Sequence, residues 1–524
     1  MKKIYTFISL AILPAFLIAC SDFLDELPDN RATLDTEEKM EALLVSAYPD
    51  HDFQQITEMM SDNVDDMDES SSYSTRYAEQ LFYWEDITET DNESPENVWE
   101  AFYIAIASAN EVLLAIEDQG GATTSTLQAI QAEALLCRAY CHFILVNVFA
   151  LNYNTETSDT DPGVTYMTKA ETTLLNDYER NSVAECYELI AADIEAALPY
   201  VSDSYYSVPK YHFNTSAAYA FASKFYLFYE QWDKCIEYAD KVLGTSPTSV
   251  LRDYEGLAEN TSFAAQSQAY IDATMSANLL LTTGYSKMGL IFGPYSTWKR
   301  FAHNPYLTTS ETTATAYPFG TLSTSNVYTY TRSYSGTGRS YVIYWRLPYL
   351  FEYTDEVAGI GYYRCVFNNL STDETLLNRA EAKIMLGEYD SAVEDMNMWV
   401  QNFTKITTDM TVDSIVSFYN GIEYATWDAG TVKKHLNPAF TIDAEGSTQE
   451  CLLQCVLGIR RIETMHLGMR WFDIKRYGIE IWRRVMNSSG TPDKEADVLT
   501  VDDPRRAVQI PQKVISAGYE ANPR

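Results

Sequence analysis

The chain has 524 residues and carries 37 lysines and arginines against 74 aspartates and glutamates, a formal net charge of -37. Nucleic-acid recognition needs clustered Lys and Arg, so this charge excludes nucleic acid as a partner and favours neutral over polyanionic ligands. With 46% hydrophobic and 21% charged residues, the chain can bury a large core and exceeds the size of one compact domain, so a second lobe or a repeat array is expected.

Residues 1–19 read as an export signal, with Lys2 and Lys3 ahead of an apolar run from Ile4 to Leu17 that is too short for a spanning helix. The run ends in Leu17-Ile18-Ala19-Cys20, which resembles a bacterial lipobox. Cleavage before Cys20 would leave that cysteine as the lipidated first residue, and several acyl chains hold a membrane more firmly than one. Residues 20–35 are polar and irregular, a spacer between lipid and fold. No second apolar run of transmembrane length is expected further on.

Residues 36–243 are expected to be helical hairpins. Asp35-Thr36-Glu37-Glu38 offers a cap and early acids before Met40, Leu43, Leu44 and Ala47, with Pro49 as a stop. The stretch 54–92 has no sustained period and reads as a functional loop, its acidic run from Asp62 to Asp68 a solvated segment without the Gly and Glu of a calcium-binding loop. Amphipathic patterns then predict helices over 97–117 and 127–149, joined at Gly120-Gly121, and over 182–198 and 216–229. Cys137 with Cys141, and Cys451 with Cys455, sit four apart on helices, a spacing that does not suit a disulfide. The group Cys137, Cys141 and His142 reads as packing, not as a metal site.

Two segments share a finer pattern, helix, tight turn, helix: one passes through Tyr229-Glu230-Gln231-Trp232 and the other through Leu386-Gly387-Glu388-Tyr389. The second matches tetratricopeptide spacing, with Ala380, Ala382 and Ala392 allowing close packing. From 244 to 363 the helical period fades and Gly, Pro, Ser, Thr and Tyr dominate. The fold class expected is therefore mainly α, a tetratricopeptide-like scaffold of helical hairpins with a large loop-rich insertion over 244–363 and a C-terminal region over 364–524.

The C-terminal quarter contains Gly458-Ile459-Arg460-Arg461-Ile462-Glu463 and Gly468-Met469-Arg470-Trp471-Phe472-Asp473-Ile474-Lys475-Arg476-Tyr477-Gly478. This pair of segments resembles the signature of the SusD/RagB family. Cys20-Ser21-Asp22-Phe23-Leu24-Asp25, Glu133 to Tyr140, Leu377 to Ala382 and the tail motifs at Asp503-Pro504-Arg505, Ile510-Pro511 and Asn522-Pro523 agree with it. Ile459, Leu467 and Met469 depart from the residues usual in the family. Arg470 with Asp473, and Asp473 with Arg476, are three apart on a helix and are expected to pair, giving the signature a scaffold role. The resemblance implies a non-catalytic lipoprotein on the outer face of the outer membrane, anchored at Cys20, that binds an extracellular oligosaccharide and delivers it to a SusC-like TonB-dependent transporter. A peptide-binding RagB-like protein and a lipid-anchored glycoside hydrolase are the alternatives.

A glycan site needs flat rings for sugar faces beside Arg, Asn or Asp for hydroxyls. Two regions combine them: Tyr73, Arg76, Tyr77 and Trp84 in the early loop, and Tyr295, Trp298, Arg300, Tyr306 and Tyr317 in the insertion. Trp84 is expected in the core. No cofactor or metal is implied. His-Glu-x-x-His, Gly-x-Ser-x-Gly and phosphate-cradling glycine loops are missing, and Ser296-Thr297-Trp298-Lys299 with Ser61-Asp62-Asn63 stands in the wrong order for a penicillin-binding site.

Overall fold

The computed structural model describes residues 34–68, 74–170, 178–293, 299–329, 331–336 and 339–524, with residues 332–336 and 339 described by backbone alone. The N-terminal half is built from α1 (Glu37–Leu44), α2 (Gln54–Met60), α3 (Arg76–Phe82), α4 (Pro95–Asp118), α5 (Ser125–Phe149), α6 (Val183–Ala197), α7 (Thr215–Phe228) and α8 (Trp232–Leu243). Their starts are chemically marked. Thr36 caps α1, Ser94 caps α4 with Pro95 in its first turn, Thr124 caps α5, Ser182 and Glu185 form a capping box on α6, and Asn214 caps α7. Gly120 and Gly121, both at positive φ, make the turn between α4 and α5.

The mainly α scaffold is present as expected. After the insertion come α9 (Thr372–Met385), α10 (Tyr389–Phe403), α11 (Val412–Asn420), α12 (Thr448–Glu463) and α13 (Arg470–Arg476). Helix α4 packs on α5, α5 on α6, α7 on α8, α8 on α9, α9 on α10 and α12, and α11 on α12. The two tetratricopeptide-like turns have the same geometry: Glu230 (φ 59°) and Gly387 (φ 79°) occupy equivalent left-handed positions. The following amides of Gln231 and Glu388 return to the carbonyls of Tyr226 and Lys383, 2.9 Å in each case. Such a bond ends one helix while reversing the chain into the next.

By length and apolar composition α4 and α5 could each cross a membrane, which departs from the expectation of no second such run. In this fold they are scaffold helices: nearly all of the apolar window of α5 is buried among its neighbours, as befits a helix that is apolar all round.

The region 244–363 is more regular than its composition suggested. A three-stranded sheet runs in the order β2 (Asn278–Tyr285), β9 (Ile360–Ser371), β8 (Leu350–Asp355). Strands β4 (Ala316–Tyr317) and β5 (Gly320–Thr321) pair, as do β6 (Arg332–Gly336) and β7 (Arg339–Ile343). Strand β9 passes position 363 and feeds directly into α9, whose cap is Ser371. Leu279, Leu280 and Leu281 in β2 are all buried, so the strand shows no alternation that a sequence reading could detect.

The segment 54–92 is likewise not a loop. It holds α2, the short strand β1 (Asp65–Asp66) and α3, and β1 lies inside a four-stranded sheet of order β11 (Pro492–Leu499), β10 (Ile481–Met486), β1, β3 (Phe301–Ala302). Asp62, Asp65 and Asp66 are buried instead of solvated. Asp62 and Asp65 are paired with arginines from the C-terminal part of the chain, and Asp66 with Arg300. Asp62 receives Arg470 on both oxygens at 2.9 Å and Arg461 at 3.4 Å, while Arg484 reaches Asp65 at 2.9 Å and Glu311 at 2.6 Å. Glu311 also takes Arg461 and Lys434. Burial alone would raise Asp62 and Glu311, but the surrounding cations hold both well below the usual carboxylate range.

Arg470 thus turns to Asp62, not to Asp473. Asp473 pairs with Arg460 at 2.8 Å and with Arg476 at 3.6 Å, and Arg460 and Arg476 converge on the buried Glu381. Trp471 is fully buried and Phe472 nearly so, giving the signature segment the scaffold role expected. The turn before α13 fits tightly: a Cβ on Gly468, at φ 75°, would lie 2.3 Å from the Thr57 hydroxyl of α2. All seven cysteines among the described residues are free and buried. His142 uses both ring nitrogens, Nδ1 with the Arg138 carbonyl and Nε2 as acceptor from the Met167 amide, and stacks on Tyr166.

Candidate ligand-binding site

Of the residues that the sequence nominates, Arg76 and Arg300 come together on one rim. Strand β1 pairs antiparallel with β3, with Asp65 opposite Ala302 and Asp66 opposite Phe301. Just outside the pairing the Met67 amide donates to the Arg300 carbonyl at 2.7 Å. This sets Asp66 and Met67 beside Arg300 and Phe301. The Arg300 guanidinium grips both oxygens of Asp66, at 2.8 and 2.7 Å, and extends Nη1 to Glu79 of α3 at 3.2 Å. Arg76 takes the other oxygen of Glu79 at 3.0 Å and reaches Glu85.

Glu79 is therefore shared by the two candidate arginines. Tyr83 donates its hydroxyl to Asp66 at 2.8 Å, and burial followed by the Asp66 charge pushes its acidity well down. Phe82 stacks on Phe301 at 4.6 Å beneath this polar layer, and Arg483 lies over Phe82 and Trp84. Trp84 is core, as expected. The upper surface is different: the Arg76 side chain is half exposed, leaving guanidinium and carboxylate groups directed to solvent where sugar hydroxyls could bind.

The other nominated residues are dispersed. Tyr77, three residues before Gln80 on α3, is 3% exposed with its hydroxyl donating to the Glu93 carbonyl, so it packs in the core and does not face the rim. Tyr306 is half-buried and committed elsewhere: its hydroxyl donates to the Asp428 carbonyl and accepts from the Gly430 amide, while Arg484 lies over its ring. Tyr317 is buried, stacked on Phe319 at 5.0 Å. Tyr73, Tyr295, Trp298 and Cys20 lie outside the described residues.

Sequence reasoning missed Asp66, Glu79 and Tyr83 as partners of the arginines. The acid cluster 62–68 was a signal, but its cations lie more than two hundred residues away. It also missed a second cavity, of about 200 Å3, between α4 and the segments around Thr165 and Tyr519. Trp99, Tyr103 and Tyr519 form its aromatic wall, with ring centroids 5.0 Å apart for Trp99 and Tyr103 and 5.7 Å for Trp99 and Tyr519. The hydroxyls of Tyr103 and Tyr519 are bound inward to Thr165, leaving this cavity mainly apolar.

Residues 22–227 match the model of the family SusD-like_3, described as starch-binding associating with outer membrane. A search of curated proteins finds no match. Among solved structures, a SusD superfamily protein from Bacteroides vulgatus superposes with a TM-score of 0.64 at 18% identity, covering 94% of this chain and 99% of its own. A SusD superfamily protein from Bacteroides thetaiotaomicron gives 0.63 at 17% identity, covering 93% and 100%. A SusD-like carbohydrate binding protein from Bacteroides vulgatus gives 0.62 at 16%, covering 92% and 97%. The fold is a scaffold of helical hairpins that carries a strand-containing region over 244–363. The chain thus resembles the SusD-like family by sequence over residues 22–227, and over more than nine-tenths of its length it shares the fold of these structures.

Proposed function

We infer that the mature chain is a lipid-anchored, surface-exposed protein that binds an extracellular oligosaccharide and delivers it to a SusC-like TonB-dependent transporter, without catalysing a reaction. The family description, starch-binding at the outer membrane, supports the ligand class and the location. One observation supports the site: Glu79 is shared by Arg76 and Arg300, so the two stretches that combine arginine with aromatic residues stand side by side. The sugar would place its hydroxyls on Arg76, Glu79 and Glu85 of this rim; Tyr73, Tyr295 and Trp298, outside the described residues, are the sequence's candidates for its ring face.

The test is affinity gel electrophoresis of the lipid-free fragment from Ser21 against neutral and charged polysaccharides, with reducing ends assayed in the same samples. Retardation by a neutral polysaccharide without new reducing ends is the expected result. New reducing ends would make the protein a hydrolase, and lack of retardation would transfer the proposal to a peptide ligand.

A further inference from the structure

The cavity of about 200 Å3 between α4, the segment 165–169 and the C-terminal segment shares no residue with the rim. Trp99, Ile106 and Asn110, all buried, make its inner end, and Ala107 and Lys169 are exposed at its mouth. Trp99 and Tyr103 stand four residues apart on α4, so their rings share one wall. Tyr519 closes the other side, its ring at 73° to that of Trp99. These rings are held in place: Phe149 of α5 meets Trp99 edge-on at 5.0 Å, and the Arg180 guanidinium lies 5.7 Å from the centre of the Tyr519 ring.

The polar groups deep in the wall are engaged within the protein. Tyr103 donates its hydroxyl to the Thr165 carbonyl at 2.9 Å, and the Tyr519 hydroxyl accepts from the Thr165 amide at 3.0 Å. The Thr165 hydroxyl donates to the Glu179 carbonyl at 2.8 Å. Asn110 donates to the carbonyls of Met167 and Lys169 and accepts from Arg138 at 2.8 Å. A buried water is held by about two to four polar partners, and this wall offers few. Water so poorly held is displaced at a gain by an apolar group. A sugar would leave its hydroxyls unpaired against the rings, so the polysaccharide proposed for the rim does not suit this cavity.

Size and lining select the kind of apolar group. An apolar void of roughly 150 Å3 holds benzene, so about 200 Å3 admits one ring with a short substituent. The lining combines Trp99, Tyr103 and Tyr519 with Met167. Aromatic side chains attract a further ring edge-to-face, and a thioether favours ring edges. An alkyl group of equal size lacks that attraction. Because the rings are already fixed by their neighbours, little ordering accompanies binding.

We propose that this cavity binds a small uncharged aromatic molecule, one phenol-sized ring with a short substituent, set against Trp99, Tyr103 and Tyr519. A polar substituent would point out past Ala107 and Lys169, where it meets solvent. The site is independent of the polysaccharide reading of the rim, and each can fail without the other.

Ligand-observed NMR titration of the lipid-free protein with p-cresol should show one saturable site, and cyclohexylmethanol, of similar size, should bind about tenfold more weakly. Ala107→Trp, at an exposed position of α4, should close the mouth and weaken p-cresol by about tenfold or more, without lowering the melting temperature or changing polysaccharide retardation. Val514→Trp serves if Ala107→Trp does not fold. Crystals soaked in p-bromophenol should show an anomalous bromine peak between Trp99 and Tyr519. Absence of p-cresol binding would overturn the proposal, as would equal affinity for cyclohexylmethanol or p-cresol binding that survives both variants. N-acetyltyrosinamide binding as tightly as p-cresol would also overturn it, in favour of an aromatic side chain of a protein partner.

Discussion

Arg470 of α13 and Asp62, 408 residues apart, form a buried two-pronged ion pair with both N–O distances at 2.9 Å. The pair ties the segment that resembles the SusD/RagB signature to the start of the rim where ligand binding is proposed. It belongs to a continuous buried network through Arg461, Glu311, Arg484 and Asp65.

Removing one member of this pair strands the other in the core. Asp62→Asn and Arg470→Met should each destabilise by about 3–5 kcal/mol, measured by urea unfolding. The double variant should lose less than the sum of the two, because neither charge is then left uncompensated. Additive losses would mean that the pair contributes nothing as a pair.

Stability should fall from mildly acid toward alkaline pH on account of Glu93. Burial pushes its carboxyl up from 4.5 to about 8, so the folded state keeps a proton that the unfolded chain releases. The contribution is therefore complete below pH 4.5 and lost as pH rises to about 8, with a slope of up to about 1.4 kcal/mol per pH unit. Glu93→Gln should remove this slope in urea unfolding between pH 5 and 8. His142 and His303 act on the other side: burial depresses both to about 3, so their contribution is present above pH 6.5 and lost as pH falls toward 3.

Neighbouring residues of α3 should separate binding from folding. Arg76→Ala should weaken polysaccharide retardation while changing stability by less than about 1 kcal/mol, because its ion pairs are exposed. Tyr77→Phe should cost about 1 kcal/mol through the lost bond to Glu93 and leave retardation unchanged. Trp298→Ala should abolish retardation without lowering the melting temperature. The reverse pattern for Arg76 and Tyr77 would move the ligand away from the rim.

The seven cysteines from Cys137 to Cys455 should be silent toward a water-soluble disulfide reagent at pH 8 in the native protein. All seven should react once it is unfolded, since each is buried as a free thiol and burial raises its pKa. Titration of the lipid-free fragment in the absence and presence of guanidinium measures this directly.

Cys20→Ala should lose incorporation of a labelled fatty acid and release the protein from the membrane fraction. In the parent, external protease should cleave it on intact cells.

The helices were legible because their signals are local. Ser94-Pro95, the capping box of Ser182 and Glu185, and the turn at Leu386-Gly387-Glu388 each place cap, first turn or reversal within a few residues, and the structure puts helix boundaries within about two residues of those read from the pattern. The strands of the insertion were not. In β2 three leucines in a row are buried on both faces, which erases the two-residue period, and β1 is only two residues long, held by β3 and β10 from distant parts of the chain.

The mainly α scaffold and its paired helices could be read from the order of residues alone, because helix periodicity and capping act over a single turn. Only the tertiary structure decided where the charges go. Asp62, Asp65 and Asp66 resemble a solvated acidic loop until Arg470, Arg484 and Arg300 arrive from more than two hundred residues away. Pairing, and with it burial, depends on distances that the order of residues does not encode locally. The same long-range closure brought Arg76 and Arg300 onto one glutamate.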